Sequence, residues 1–155
     1  MKRSKIVKYL LIVLPILIGI GSSILTRDMM IEYGSLNKPT LSPPAIIFPI
    51  AWSILYLLMG IASAIVYSSK SSENRTMGLI LHFIQLVFNF FWSIIFFNMQ
   101  QYMFAFIWLI LLFLTVLSMT LNYRKVNLAA SLMNIPYLAW LTFAAYLNIM
   151  VYILN

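Results

Sequence analysis

The sequence predicts an all-α integral membrane protein, a bundle of five transmembrane helices, and three observations carry that prediction. Of its 155 residues, 63% are hydrophobic and only 8% are charged, against about 45–50% and about 25% in a soluble domain. The apolar residues gather into five runs, each near the roughly 20 residues needed to cross the hydrocarbon layer. No Asp, Glu, Lys or Arg lies deep inside any of the runs. Helices are the only open-ended structures that satisfy every backbone group in lipid, so all five runs are read as α.

The first run, about Ile6–Leu25, follows Lys2, Arg3, Lys5 and Lys8. A secretory signal begins in the same way, but this run is longer and no small-x-small cleavage site follows it, so it is read as a retained span. The second run, about Ala45–Tyr67, carries Phe48, Trp52 and Tyr56 at every fourth position, which places three rings on one helical face. In the third, about Met77–Phe97, Gln85, Asn89, Trp92 and Phe96 share a face. The fourth is about Tyr102–Leu121. The fifth, about Leu128–Leu154, contains Pro136, which frees a backbone carbonyl and predicts a kink. Its Tyr137, Trp140, Ala144 and Asn148 fall on one side.

Of the connections, only the first, residues 26–44, is long. Lys38-Pro39, Pro43-Pro44 and Phe48-Pro49 stiffen it and the start of the next helix. Long loops in compact domains tend to be functional or disordered, and the prolines favour function, so 26–44 is read as a lid. The chain is read as a single membrane domain, residues 1–155. It shows no internal repeat, and five spans do not divide into the equal halves of many transporters.

The formal charge is +7, with the basic residues at helix ends. That pattern fits membrane orientation and contact with anionic lipid, and argues against nucleic-acid binding. Lys2, Arg3, Lys5, Lys8, Lys70, Arg75, Arg124 and Lys125 fall on one side, and Arg27 and Lys38 on the other. The positive-inside rule then places the N-terminus in the cytoplasm and the lid outside, in a multi-pass protein of the cell membrane. There is no cysteine, which excludes disulfides and thiolate metal sites. The lone His82 is read as structural, and no metal site is expected. Three acidic residues, Asp28, Glu32 and Glu73, leave little for acid–base chemistry. The absence of intramembrane charge argues against proton- or sodium-driven transport.

The polar and aromatic residues inside the spans admit two readings each. Gln85 and Asn89 either bond neighbouring helices, at about 0.6–2 kcal/mol per bond, or, for Asn89, anchor a guest in an aromatic pocket. Trp52, near the outer mouth, is either an interfacial anchor or a pocket wall, whereas Trp140 sits mid-span, where anchoring explains it poorly. Gly19, Ser22, Gly60 and Ala64 are read as small residues for close helix packing.

Four motifs in register, Lys38-Pro39-x-x-x-Pro43-Pro44, Phe48-Pro49-x-x-Trp52-x-x-Leu55-Tyr56, Gln85-Leu86-x-x-Asn89-x-x-Trp92 and Pro136-Tyr137-x-x-Trp140-x-x-x-Ala144-x-x-Leu147-Asn148, resemble the TspO/MBR family over the whole chain. The family is also known as translocator protein, peripheral-type benzodiazepine receptor or tryptophan-rich sensory protein; the resemblance here is to its bacterial type. It implies a five-helix bundle, often a homodimer, that binds tetrapyrroles such as protoporphyrin IX under the first loop. By resemblance the ligand-binding positions are Tyr33, Pro44, Phe48, Trp52, Asn89, Trp92, Tyr137, Trp140 and Ala144. Some members are associated with light-dependent porphyrin degradation, which would make Trp52 and Trp140 the catalytic pair.

The chain departs from the family pattern at Glu32 and Leu41, where aromatic residues are usual, so its lid is less aromatic. Tyr152 is followed by no basic residue, so the animal sterol motif near the C-terminus is missing. Three functions remain in play. One is a receptor or carrier for porphyrins and other hydrophobic small molecules. The second is a light- and oxygen-dependent enzyme that degrades them, with no separate cofactor because the pigment is ligand or substrate. The third is a lipid-binding assembly or stress-signalling protein.

Overall fold

The computed structural model describes residues 2–155; the side chains of Lys2, Arg3, Met30 and Glu32 lie outside the described residues, so the readings made on Lys2, Arg3 and Glu32 fall there too. Among the described residues six helices form five membrane-crossing rods: α1 (Lys2–Tyr33), α2 (Ile47–Ser68), α3 (Glu73–Ser93), α4 (Tyr102–Val126), and the pair α5 (Leu128–Leu132) and α6 (Ile135–Leu154). A π turn, Ile94–Asn98, extends α3. All five rods are long and apolar enough to span a bilayer, and the chain is a multi-pass membrane protein.

Two boundaries differ from the sequence expectation, each for a local reason. The lid expected over 26–44 is shorter, because α1 continues as helix through Tyr33 and only then turns at Gly34. Hydropathy falls after Leu25, but nothing from Thr26 to Tyr33 breaks a helix, and Thr26 Oγ1 donates to the Ser22 carbonyl at 2.9 Å. The fifth span is two helices rather than one kinked rod. Pro136, in the first turn of α6, has no N–H for the preceding turn, and the chain turns at Met133–Asn134. Asn127 caps α5 by accepting from the Ala130 amide at 3.0 Å, and Asn134 Nδ2 closes its other end on the Ala130 carbonyl at 2.9 Å.

Packing is tightest between α3 and α4 and between α1 and α2, with α6 resting on α4. Between α1 and α2 the backbones nearly touch: a Cβ on Gly60 would lie 2.7 Å from the Ile12 carbonyl oxygen. On the same seam the Tyr56 ring lies against Gly19, leaving no room for a Cβ. Met59, Ala62, Val66, Leu86, Leu109, Leu112, Val116, Met119 and Leu141 fill the interior. Leu17, Ile24, Val87, Ile107 and Leu114 are exposed at the periphery, where lipid is the solvent.

The ends are tied differently. At the N-terminal end the Arg75 guanidinium donates to the Tyr67 carbonyl at 2.9 Å and lies 5.2 Å over the Tyr67 ring, closing the short α2–α3 connection. At the other end the loop 34–46 is pinned to the C-terminus. The Asn37 amide donates to Asn155 Oδ1 at 3.0 Å, and Asn155 Nδ2 returns a bond to the Asn37 carbonyl at 3.0 Å.

A candidate ligand site of facing indoles above a phenol–amide network

The helical period of α2 sends Phe48, Trp52 and Tyr56 along one stripe, and α6 sends Tyr137 and Trp140 to meet it. Trp52 stacks on Tyr56 with centroids 5.4 Å apart and planes at 27°. Its edge meets Tyr137 at 6.1 Å and Trp140 at 6.4 Å, the latter nearly perpendicular at 83°. Phe48 adds an edge-to-face contact with Trp140 at 6.0 Å. Both indoles are half-buried. Such tilted and perpendicular pairs suit the ring quadrupoles and are each worth about 0.5–1.5 kcal/mol beyond area burial.

Below the rings lies a fully buried polar chain. The Tyr56 hydroxyl donates to Asn89 Oδ1 at 2.7 Å, and Asn89 Nδ2 donates to the Tyr137 hydroxyl at 3.0 Å. That hydroxyl donates in turn to Gln85 Oε1 at 3.0 Å, and Gln85 Nε2 reaches Met59 Sδ at 3.5 Å. Three separate helices are thereby joined where water is excluded, so each bond also removes the cost of an unsatisfied group. Gln85 and Asn89 thus bond neighbouring helices; an anchoring contact from Asn89 to a guest requires Tyr56 or Tyr137 to yield.

The nine residues expected at the site do not form one wall. Phe48, Trp52, Asn89, Tyr137 and Trp140 come together as described. Trp92 lies further along the same face of α3, where its Nε1 donates to Asn148 Oδ1 at 3.2 Å and its ring stacks on Phe96 at 5.4 Å. Ala144 is buried on the α6 face shared with Tyr137 and Asn148. Pro44 is exposed in the loop, and its carbonyl accepts from the Ile47 amide at 2.9 Å as α2 begins. Tyr33, the last residue of α1, packs on Phe96 at 5.8 Å and Phe97 at 5.6 Å. Burial holds its hydroxyl above the usual phenol range.

Two hollows follow this division. A groove of about 430 Å³ between α2 and α6 is lined by Ala51, Ile54, Leu55, Pro136, Trp140 and Phe143, almost wholly apolar. A smaller cleft of about 240 Å³ opens beside Tyr33, Phe96, Phe97 and Tyr102. Tyr56 and Gln85 belong to the site although the resemblance did not assign them. Their positions on the aromatic and amide stripes carried the signal, but the bonds between them did not.

The arrangement defines a five-span membrane protein whose interior joins facing indoles to a closed phenol–amide network. Comparison with known proteins gives that class its family. The model of the TspO/MBR family matches residues 11–154, and the chain belongs to this family. It is 36% identical over 136 residues to the tryptophan-rich protein TspO of Chlorobaculum tepidum, covering 87% of this chain and 86% of that one. It is 38% identical over 125 residues to protein CrtK of Rhodobacter capsulatus, covering 79% and 78%. Tryptophan-rich protein TspO of Archaeoglobus fulgidus is 35% identical over 153 residues, covering 97% of each chain.

Proposed function

We propose that this protein is a membrane receptor or carrier for porphyrin-like tetrapyrroles and other flat hydrophobic molecules. It would lie in the cell membrane with its N-terminal end in the cytoplasm. The observation that carries the reading is the meeting of Trp52 and Trp140 from two helices at 6.4 Å, beside an apolar groove of about 430 Å³. Small-molecule sites are mostly apolar with a few placed polar groups, which is the composition found here. A macrocycle entering from the groove would part the perpendicular indoles and stack between them, exchanging ring–ring contacts for larger ones. Lys5, Lys8, Lys70, Arg75, Arg124 and Lys125 at the N-terminal end, against Arg27 and Lys38 at the other, support the orientation.

The test is a titration with protoporphyrin IX in detergent micelles, followed by the shift of the porphyrin Soret band. Replacing both indoles (Trp52→Phe with Trp140→Phe) is expected to weaken binding by about tenfold, the equivalent of about 1.4 kcal/mol. Unchanged affinity would rule out stacking.

A second reading is favoured by the contiguity of oxidisable rings: Trp140, Trp52 and Tyr56 lie 5.4–6.4 Å from neighbour to neighbour. Under light and dioxygen such a chain can exchange electrons with an excited pigment held beside it. Illumination of the complex should then yield an oxidised pigment whose formation slows in the same double variant; an identical product at an identical rate rejects catalysis by the indoles.

A further inference from the structure

Two irregular pieces of backbone help to build the small cleft at the loop end. The π turn Ile94–Asn98 brings Phe96 and Phe97 together at 4.9 Å. Just beyond it Gln100, which also lines the cleft, stands at φ 53°, in the left-handed region that non-glycine residues rarely occupy. π turns and such backbone outliers concentrate at functional sites. Here both serve one hollow of about 240 Å³, below the roughly 300–1,000 Å³ of drug-sized pockets.

Its chemistry is that of an aromatic wall at the membrane surface. Tyr33 stands against Phe96 and Phe97, and Tyr102 packs on Phe96 at 5.2 Å. Tyr33 lies beyond the end of the first span at Met29, and Tyr102 opens the fourth, so the rings sit at the level of lipid head groups. Lys38 does not line the cleft but stands beside it: its Nζ lies 5.0 Å from the Tyr33 centroid. Lys38 is exposed, so its ammonium is open to an anion.

We propose that this cleft binds the organic ammonium head group of a zwitterionic phospholipid, with the ammonium against Tyr33 and the phosphate on Lys38. Aromatic walls recognise quaternary ammonium ions through the ring quadrupole, without a carboxylate partner. Lys38, beside the same ring, is then the anion's partner, so one site reads both charges of the head group. The cleft shares no lining residue with the groove between α2 and α6, and it stands as a site whether or not the indoles hold a pigment.

The experiment uses the full chain in maltoside micelles, with the isotope-labelled methyl of Met29, on the cleft wall, as reporter, assigned by Met29→Leu. Dihexanoylphosphatidylcholine should shift it saturably, tetramethylammonium chloride should do so more weakly, and dihexanoylphosphatidylglycerol should not. Equal responses to the choline and glycerol lipids would overturn the proposal, and tetramethylammonium binding as tightly as the choline lipid would overturn its assignment to a phospholipid. Tyr33→Phe, which keeps the ring and the packing, should retain binding. Successive fluorination of that phenylalanine should weaken binding stepwise, by roughly fivefold in all; a flat series overturns the ring–cation contact. Lys38→Met should tighten tetramethylammonium and abolish the advantage of the phospholipid. The porphyrin titration reads a different site by a different signal, so either proposal can fail alone.

Discussion

Asn89 holds two phenols at once, accepting from Tyr56 and donating to Tyr137, while itself only 1% exposed. An asparagine kept only to greet a guest would contribute little to the empty protein. One that closes a buried network contributes to it directly, because its removal leaves polar groups unpaired in the bundle. Asn89→Leu is therefore expected to destabilise the ligand-free protein by about 1–3 kcal/mol, measured as a shift in the unfolding midpoint in mixed micelles. Tyr56→Phe should cost less, since Asn89 then keeps its bond to Tyr137. Spacing alone placed Gln85, Asn89 and Trp92 on one face, and they are there. Spacing carried no information about which helix each would address, because that depends on the rotation of α2 and α6 about their own axes. So the amide pair was legible as buried and polar, and its division between Tyr137, Tyr56 and Met59 was not.

Among the helices, the α1–α2 seam is set by glycine. At Gly60 an added methyl would meet backbone atoms of Ile12, which cannot swing aside as a side chain can. Gly60→Ala is expected to lose about 1–3 kcal/mol through forced separation of the two helices. Gly21 is the control. Its nearest neighbour would be Phe90 at 4.0 Å, an ordinary contact, so Gly21→Ala should be neutral or gain up to about 1 kcal/mol from helix propensity. Thermal unfolding of the two variants side by side distinguishes the seam from a general intolerance of bulk. The number of spans was legible because the bilayer imposes length and composition on each. Their ends were less so: hydropathy stops where lipid stops, but a helix does not. The segment Thr26–Tyr33 stays helical, and that sets Tyr33 against Phe96 and Phe97 of the π turn. The π turn leaves no periodic mark in sequence, so the cleft it builds was not readable either.

Across the whole molecule, the loop 34–46 and the C-terminus behave as one unit through Asn37 and Asn155, 118 positions apart. Their paired bonds imitate a two-residue rung of sheet on a protein otherwise built of helices. Asn155→Ala is expected to release the loop, speeding hydrogen exchange of the Asn37 amide by about tenfold or more, with core amides unaffected. Equal exchange in the two proteins would show that Pro39 and the Tyr33 contacts hold the loop without help.

The length of α1 reaches beyond the protein itself. At about 1.5 Å per residue its 32 residues make a rod of about 48 Å, well over the roughly 30 Å of hydrocarbon it crosses. The surplus must lean or protrude, and Tyr33 rides on its tip. Thinner or thicker lipid therefore sets how high that ring stands, so bilayer thickness becomes an input to the molecule, read out at the rim where the loop begins.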